Sequence, residues 1–120
     1  MINAHDARQE LKENNKTFEE NANYIAKHLE ELAEEAIQNA ILQRTGKVNA
    51  IYSHKESYLQ AAEELGLEVS PFIPKKWDPL LQRAREIANE ELEKADYKGQ
   101  KFYEGYDRQG YKALQLELKF

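Results

Sequence analysis

One apolar stripe constrains the fold of this chain more than any other feature of its sequence. Between residues 18 and 36, apolar side chains recur at steps of four and three, which is the spacing of one face of an α-helix. The residues of this stripe are Phe18, Ala22, Ile25, Leu29, Leu32 and Ala36. The opposite face is charged and mostly acidic, so the helix is amphipathic. Because exposed apolar surface is unfavourable in water, either the protein's own sheet or a second chain must cover the stripe.

The length and composition of the chain fit a single domain over residues 1–120. Apolar residues make up 41% and charged residues 32% of the 120 residues, which is typical of a globular, helix-rich protein. The chain contains no cysteine, which excludes a disulfide framework, a thiolate zinc site and a cysteine nucleophile. The net charge of −5 disfavours a nucleic-acid-binding surface, since phosphate contacts need clustered lysines and arginines.

Two absences in the sequence concern the compartment of the protein. The first residues lack the basic start and the apolar run of a signal peptide. No segment approaches the ~20 consecutive apolar residues that a membrane-spanning helix needs. The sequence therefore predicts a cytoplasmic protein that has no membrane partner.

Capping signals predict the ends of the long N-terminal helix. Asn3 is expected to cap its start, since an Asn side chain at that position accepts a hydrogen bond from the first turn. Thr17 and Glu20 have the form of a capping box, so the helix either restarts there or runs straight through. We expect it to continue to Gln43 and to stop at Gly46, because glycine readily ends a helix.

The middle of the chain predicts a βαβ unit. Lys47–Ser53 has the composition of a strand, and Leu67–Ile73 that of a second strand closed by prolines. Between them, Ser53 and Glu56 form another capping box, at the start of a short helix that stops at Gly66. Because a helical crossover joins parallel strands, this unit predicts a sheet with mixed pairing.

The C-terminal part predicts a helix followed by a β-hairpin. Asp78 and Pro79 form a strong helix start, and the apolar spacing indicates a helix over residues 79–95. Strands are expected at Lys101–Tyr106 and Tyr111–Phe120, joined by a turn at residues 107–110. The second strand is predicted to have one buried and one solvent-exposed face. Its expected buried residues, Leu114, Leu116, Leu118 and Phe120, alternate with the expected exposed residues Ala113, Gln115, Glu117 and Lys119. The predicted fold class is therefore α+β: a long amphipathic helix, a small mixed sheet and a second helix.

The residue types of catalytic and metal sites are present, but their arrangement favours neither. His28 and Glu31 lie at helical spacing, yet a metal site needs further ligands from another element. Ser53, His54 and Glu56 include a nucleophile, a base and an acid, but neighbours in sequence seldom converge as a catalytic triad. The five glycines form no phosphate-binding loop. We therefore predict no enzyme activity, no cofactor and no metal.

Aromatic and basic residues alternate in the C-terminal part, which is the first candidate contact surface. They are Tyr97, Phe102, Tyr103, Tyr106 and Tyr111, interleaved with Lys98, Lys101, Arg108 and Lys112. Three interpretations are open: tyrosines at the edge of a small core, a protein interface, or a pocket that stacks a nucleotide base. The partner-binding candidates of this strip are Tyr103, Tyr106, Arg108 and Tyr111.

The acidic face of the long helix is the second candidate contact surface. Adjacent carboxylates recur along it, and Glu30 and Glu34 are its predicted partner-binding residues. Solvation is the ordinary role of such a face. The helix is also longer than a small sheet easily covers, which predicts self-association.

The N-terminal half resembles small accessory proteins encoded by phages and prophages of Gram-positive bacteria. The resemblance covers residues 2–70: the opening Met-Ile-Asn-Ala-His-Asp-Ala-Arg, the amphipathic helix, a Lys-Val-x-x-Ile strand, a short helix and Glu-Glu-Leu-Gly-Leu-Glu-Val. Some small phage proteins of this size bind a bacterial defence enzyme, such as an NAD-consuming sirtuin-like effector. Others sequester a nucleotide signal. The resemblance implies that class of function and assigns no functional residues.

Together, the residues and the resemblance predict a non-enzymatic, phage-derived inhibitor in the cytoplasm of the host cell. It would bind a host defence protein through the hairpin, the acidic helix face or both. The first alternative is a protein that sequesters a nucleotide signal with its aromatic strip. The second is a structural or assembly protein whose long helix pairs with a copy of itself.

Overall fold

A computed structural model describes residues 1–68, 78–97 and 101–120 and shows an α+β fold. The elements are α1 (Ala4–Leu42), β1 (Lys47–Ser53), α2 (a π-helical turn at Lys55–Leu59 that continues as α-helix at Gln60–Glu64), α3 (Pro79–Lys94), β2 (Phe102–Tyr106) and β3 (Lys112–Lys119). The predicted fold class, the long N-terminal helix and the C-terminal hairpin are thereby confirmed.

Helix α1 runs without a break through the capping box at Thr17. At 1.5 Å per residue its 39 residues span about 58 Å, close to the largest dimension of the molecule, 62 Å. The Asn3 side chain accepts a hydrogen bond of 2.9 Å from the backbone N–H of Asp6, as predicted. Of the two alternatives at Thr17, the structure shows the continuous helix.

The C-terminal end of α1 differs from the prediction that Gly46 stops it. The helix ends at Leu42, and Arg44 takes the left-handed conformation, with φ 59°, just beyond it. Gly46 is required for a different reason, because a Cβ atom there would lie 2.6 Å from the carbonyl oxygen of Phe120. The backbone N–H of Phe120 donates to the Gly46 carbonyl at 2.9 Å, so the glycine lets the two segments meet.

The three described strands pair antiparallel in the order β1–β3–β2. This pairing differs from the predicted mixed sheet. The strand that would have supplied the parallel pairing, Leu67–Ile73, lies from residue 69 onward outside the described residues. The helix of the predicted βαβ unit does begin at its capping box, since Glu56 N–H donates to Ser53 Oγ and Ser53 N–H donates to the Glu56 carboxylate, both at 3.2 Å.

The core lies where α1 and α3 pack against one face of the sheet. From the stripe of α1, Ala22, Ile25 and Leu29 are fully buried, whereas Leu32 and Ala36 are half-buried. Phe18 is 37% exposed and marks the edge of the core. The other elements contribute the buried residues Leu80, Leu81, Ala84, Ala88, Leu92, Phe102, Leu114, Leu116 and Leu118.

Two residues of the hairpin, Phe120 and Ala113, depart from their predicted surroundings. Phe120, expected on the buried face, follows the end of β3, is 51% exposed and meets Tyr97 edge-on. Ala113, expected on the wet face, is buried. Phe102, one of the aromatic strip, is fully buried because Asn89 of α3 bonds both its N–H and its carbonyl, at 2.9 and 3.1 Å.

Candidate functional site

The first part of α1, residues 4–18, extends beyond the body of the protein, and we call it the arm. Every residue from 1 to 18 is exposed, whereas buried positions begin at Ala22. The arm nevertheless carries apolar residues in the helical register of the buried stripe, namely Ala4, Ala7, Leu11 and Phe18. Leu11 is 60% exposed. The apolar face of α1 is therefore longer than the part of it that the body covers.

The start of α3 fixes the point at which the arm leaves the body. The Asp78 carboxylate caps α3 by accepting a hydrogen bond of 2.8 Å from the Leu80 N–H, as the Asp-Pro pair predicts. Arg83, in the next turn, donates from Nε to the Glu19 carboxylate at 2.9 Å. Lys94, at the other end of α3, lies near Glu30. Helix α3 thus runs parallel to α1 from Glu19 onward and leaves the arm uncovered.

The hairpin tip, residues 106–111, is a turn held by its own hydrogen bonds. The Asp107 carboxylate accepts from the N–H groups of Gln109 and Tyr111, at 2.9 and 3.0 Å. The Asp107 N–H donates to the Tyr111 carbonyl at 2.8 Å. Gly110 has φ 84°, a conformation that glycine adopts without strain. The turn predicted at residues 107–110 is present, and its backbone is fixed.

Three of the predicted partner-binding residues lie in this turn, and their side chains are exposed to solvent. Tyr106 is 65% exposed and Tyr111 is 53% exposed, one on each side of the turn. Arg108 lies between them in sequence and is exposed as well. The tip therefore offers two aromatic rings and a guanidinium group on a short, ordered segment.

The arm and the hairpin tip lie at the same end of the protein. In β2, Phe102 is bonded to Asn89 of α3, and Glu104 pairs with Arg85 at 3.4 Å, one turn nearer the start of α3. The strand therefore runs toward the start of α3, and the tip follows beyond Glu104. Because the arm leaves the body where α3 starts, both exposed elements flank one end of the molecule.

The other predicted contact residues lie elsewhere. Tyr103 is half-buried on the outer face of the sheet, where burial and a hydrogen bond to Glu117 raise the pKa of its hydroxyl. Glu30 is half-buried beside α3, where burial and the nearby Glu91 raise the pKa of its carboxyl group. Glu34 is exposed farther along α1. The structure thus unites the hairpin candidates but separates them from the acidic ones.

A buried polar cluster joins α2 to the start of α3. His54 is 9% exposed, and its Nε2 makes no hydrogen bond to the described part of the chain. Its ring lies 5.3 Å from the ring of Tyr58. Burial lowers the pKa of His54, and the Asp78 carboxylate opposes that shift. Burial and the same carboxylate raise the pKa of the Tyr58 hydroxyl.

Because the pKa of His54 is lowered in the fold, we expect this residue to make the protein less stable in acid. Below the pKa of about 6.5 that an unfolded histidine has, the unfolded chain binds a proton that the folded chain resists. The stabilisation that comes from keeping His54 neutral is therefore present above about pH 6.5, the unfolded pKa. It is lost as the pH falls through the lowered pKa of the folded state. Urea unfolding of His54→Phe should therefore show a smaller stability loss between pH 7.5 and pH 5 than the parent.

A matched control separates this effect from general acid denaturation. His5 lies on the exposed arm, so His5→Phe removes a histidine without touching the core. It should keep the stability loss of the parent over the same pH interval. Equal losses in the parent and in His54→Phe would contradict a buried neutral histidine.

The remaining histidine and carboxylate candidates have structural surroundings. His28 lies 2.6 Å, through Nε2, from the carbonyl oxygen of Glu56 and so links α1 to α2. Ser53 and Glu56 are engaged with each other in the capping box. Within residues 1–68, 78–97 and 101–120, no three His, Asp or Glu side chains come together as a metal site. None of the helices described combines the length and hydrophobicity of a membrane-spanning segment.

Comparisons with protein-family models, curated proteins and solved structures give no match for this chain. The surfaces of the chain itself are therefore what indicate its function. Sequence reasoning identified the hairpin tip from its residue types, but it did not include any arm residue among the contact candidates. The sequence feature that could have identified the arm is the spacing of Ala4, Leu11 and Phe18, which share the helical register of the buried stripe.

Proposed function

We propose that this chain is a non-enzymatic binding protein that attaches to another protein through its hairpin tip. One observation carries the proposal: Tyr106 and Tyr111 are both more than half exposed at a turn that the Asp107 carboxylate holds in place. Tyr and Arg are, with Trp, the residues most enriched among the energetic anchors of protein interfaces. A soluble protein gains no core stability from rings in water, so their exposure favours a role in contact.

The rigidity of the tip supports the same proposal. Binding costs free energy when a loop must become ordered, and a preformed turn reduces that cost. The tip is anchored by β3, which pairs with β2 on one side and β1 on the other. Loops on such a scaffold are common recognition elements.

The resemblance to phage accessory proteins supports a bacterial defence enzyme as the partner, in the cytoplasm of the host. An NAD-consuming effector is the first enzyme to test. The chain would act as an inhibitor by covering a surface that the enzyme needs. No residue of this chain would take part in the enzyme's chemistry.

Capture followed by reconstitution tests the proposal. The parent chain and an Arg108→Ala variant are immobilised side by side and exposed to bacterial lysate. We expect a protein that the parent retains and the variant loses. That protein, once purified, should bind the parent directly and lose enzyme activity on binding. Equal retention by both baits, or binding without any loss of activity, would contradict an inhibitor that uses the tip.

Thermal unfolding with nucleotides tests the alternative of nucleotide sequestration. A ligand at 100 times its dissociation constant stabilises the folded state by about 2.7 kcal/mol. Such a gain raises the melting temperature of a domain of this size by several degrees. We expect no such shift with NAD or with cyclic dinucleotides. A shift that Tyr106→Ala abolishes would favour a nucleotide site over a protein interface.

A further inference from the structure

We propose that two copies of this chain associate through their arms, which pair antiparallel about a twofold axis at Leu11. The partner is a second copy, and the contact is separate from the hairpin tip. The inference goes beyond the proposed function and does not depend on it, since an arm contact requires no host protein.

The accessible surface of the chain is large for its mass. Its accessible surface is 8592 Å². A compact monomer of 14.0 kDa is expected to expose about 6,700 Å². An ordinary protein interface removes about 800 Å² from each partner, so the excess is large enough to supply one. The arm contributes to this excess, because each of its residues is exposed.

The position of α3 determines the direction of pairing. From Glu19 onward α3 occupies the face of α1 that the arm presents, as the 2.9 Å contact between Arg83 and Glu19 shows. A second α1 lying parallel on that face would run into α3. An antiparallel copy instead places its body beyond the free end of the first arm. Only the antiparallel arrangement therefore brings the two apolar faces together without a collision.

The arm matches itself in this arrangement. With Leu11 on the axis, Ala4 of one copy lies opposite Phe18 of the other, and Ala7 lies opposite Asn15. Small residues thus face large ones, which is the condition for two helix surfaces to interdigitate. A twofold interface must be self-complementary in this way, since the same patch serves both copies.

The charge of the arm also differs from that of the rest of α1. Residues 1–18 contain three acidic and three basic side chains, so the arm has no net charge apart from its terminus. Residues 19–42 contain six acidic side chains and one basic side chain. Copies of the acidic part would repel each other, because like charges brought close are unfavourable. The arm is the part of the helix on which two copies can approach.

Pairing of the arms would give the protein two binding ends. The hairpin tip lies at the end from which the arm projects, so each dimer presents one tip on either side of the arm pair. A partner that is itself dimeric could then be held at two points, which strengthens binding without new contacts. The arm thus acts as a connector, and the tip as the contact surface.

The mass of the protein in solution provides the first test. Sedimentation equilibrium of the parent should show a rising mass, from 14.0 kDa toward twice that value, as the concentration increases. Leu11→Glu places a carboxylate on the axis, and we expect it to raise the dissociation constant of the dimer at least about tenfold. Gln9→Glu adds the same charge on the other side of the arm and should dimerise like the parent.

Single cysteines provide a test of the pairing direction, because the chain has none of its own. Leu11→Cys should form a disulfide-linked dimer under mild oxidation. In the antiparallel pair, the two copies of residue 18 are about 21 Å apart, measured along the helix axis. Phe18→Cys should therefore not link to itself, but it should link to Ala4→Cys when the two variants are mixed.

Three results would overturn the arm pairing. The first is a monomer at every concentration of the parent. The second is a dimer whose affinity Leu11→Glu leaves unchanged. The third is self-linking of Phe18→Cys as fast as that of Leu11→Cys, which would indicate parallel arms. Loss of dimerisation in Leu11→Glu with intact partner binding at the tip would leave the proposed function standing.

Discussion

Leu29→Ala is expected to lower the free energy of unfolding by about 2–5 kcal/mol, the range for truncating a buried leucine. Leu29 is 0% exposed and belongs to the cluster between the sheet and α3. The truncation removes three carbon atoms, Cγ and its two methyl groups, from close-packed surroundings and leaves a cavity that the neighbours fill only in part. Urea or thermal unfolding measures the loss. Domains of this size have only about 5–15 kcal/mol of stability, so the variant should be clearly weakened.

Two other leucines of α1 serve as internal comparisons. Leu32 is half-buried, so Leu32→Ala should cost less than Leu29→Ala. Leu11 is 60% exposed on the arm, and Leu11→Ala should change the stability of the monomer by less than about 0.5 kcal/mol. The helix propensities of alanine and leucine are close, so the comparison reflects burial. Equal losses at Leu29 and Leu11 would contradict the boundary between the body and the arm.

Local signals of the sequence were sufficient to predict the ends of most elements. Asn3, Ser53 and Asp78 cap helices in the structure because a side-chain oxygen next to free N–H groups is a short-range interaction. The turn at Asp107 and Gly110 follows from the same kind of chemistry. The leucines of β3 were correctly assigned to the core, since alternation determines which face a strand buries.

Long-range contacts explain what local signals did not predict. Phe102 and Tyr106 belong to one aromatic strip in the sequence, and both point to the same side of β2. Phe102 is buried because Asn89 fixes β2 against α3 at that level, whereas Tyr106 lies past the edge of the core. Which aromatic residue becomes core depends on how far α3 extends alongside the strand. No property of the strip itself encodes that distance.

The arm is a second case in which helical spacing alone was insufficient. Apolar residues in the register of the stripe recur at Leu11, Ala7 and Ala4, beyond a polar gap at Asn14 and Asn15, so the spacing alone does not mark where burial stops. The boundary is set by the start of α3 and by the pairing of Arg83 with Glu19, which are 64 positions apart. The prediction that the long helix self-associates rested on its length alone. That prediction concerned residues 17–43, whereas the arm pairing proposed above uses residues 4–18, which the body leaves exposed.

The two predicted contact surfaces are separated in the fold for a similar reason. Glu30 was chosen for its place on an acidic face, but α3 lies beside it and the residue is half-buried. The hairpin candidates have no such cover, since the tip extends past the sheet. Residue type identified both surfaces, and only the packing of α3 shows that Glu30 is partly covered whereas the hairpin tip and Glu34 are exposed.

Tyr106→Ala and Arg108→Ala are each expected to weaken binding of the partner protein by at least about 2 kcal/mol, or some thirtyfold in affinity, without unfolding the chain. The physical reason is the loss of an anchor from a preformed turn. Tyr106 is 65% exposed, so its removal leaves no cavity in the core. Calorimetry or surface plasmon resonance with the purified partner measures the change, and melting temperatures confirm that the fold is kept.

The matched control for this last expectation lies within the same turn. Gln109 is exposed, and the turn uses its backbone N–H, which donates to Asp107, so Gln109→Ala should leave both fold and affinity unchanged. Asp107→Ala should also weaken binding, but for a different reason. It removes the carboxylate that holds the turn, so the loop would have to become ordered on binding, which costs free energy. If Tyr106→Ala and Arg108→Ala fold normally and bind as tightly as the parent, the tip is only a connection. The exposed carboxylates around Glu34 would then be the surface to substitute next.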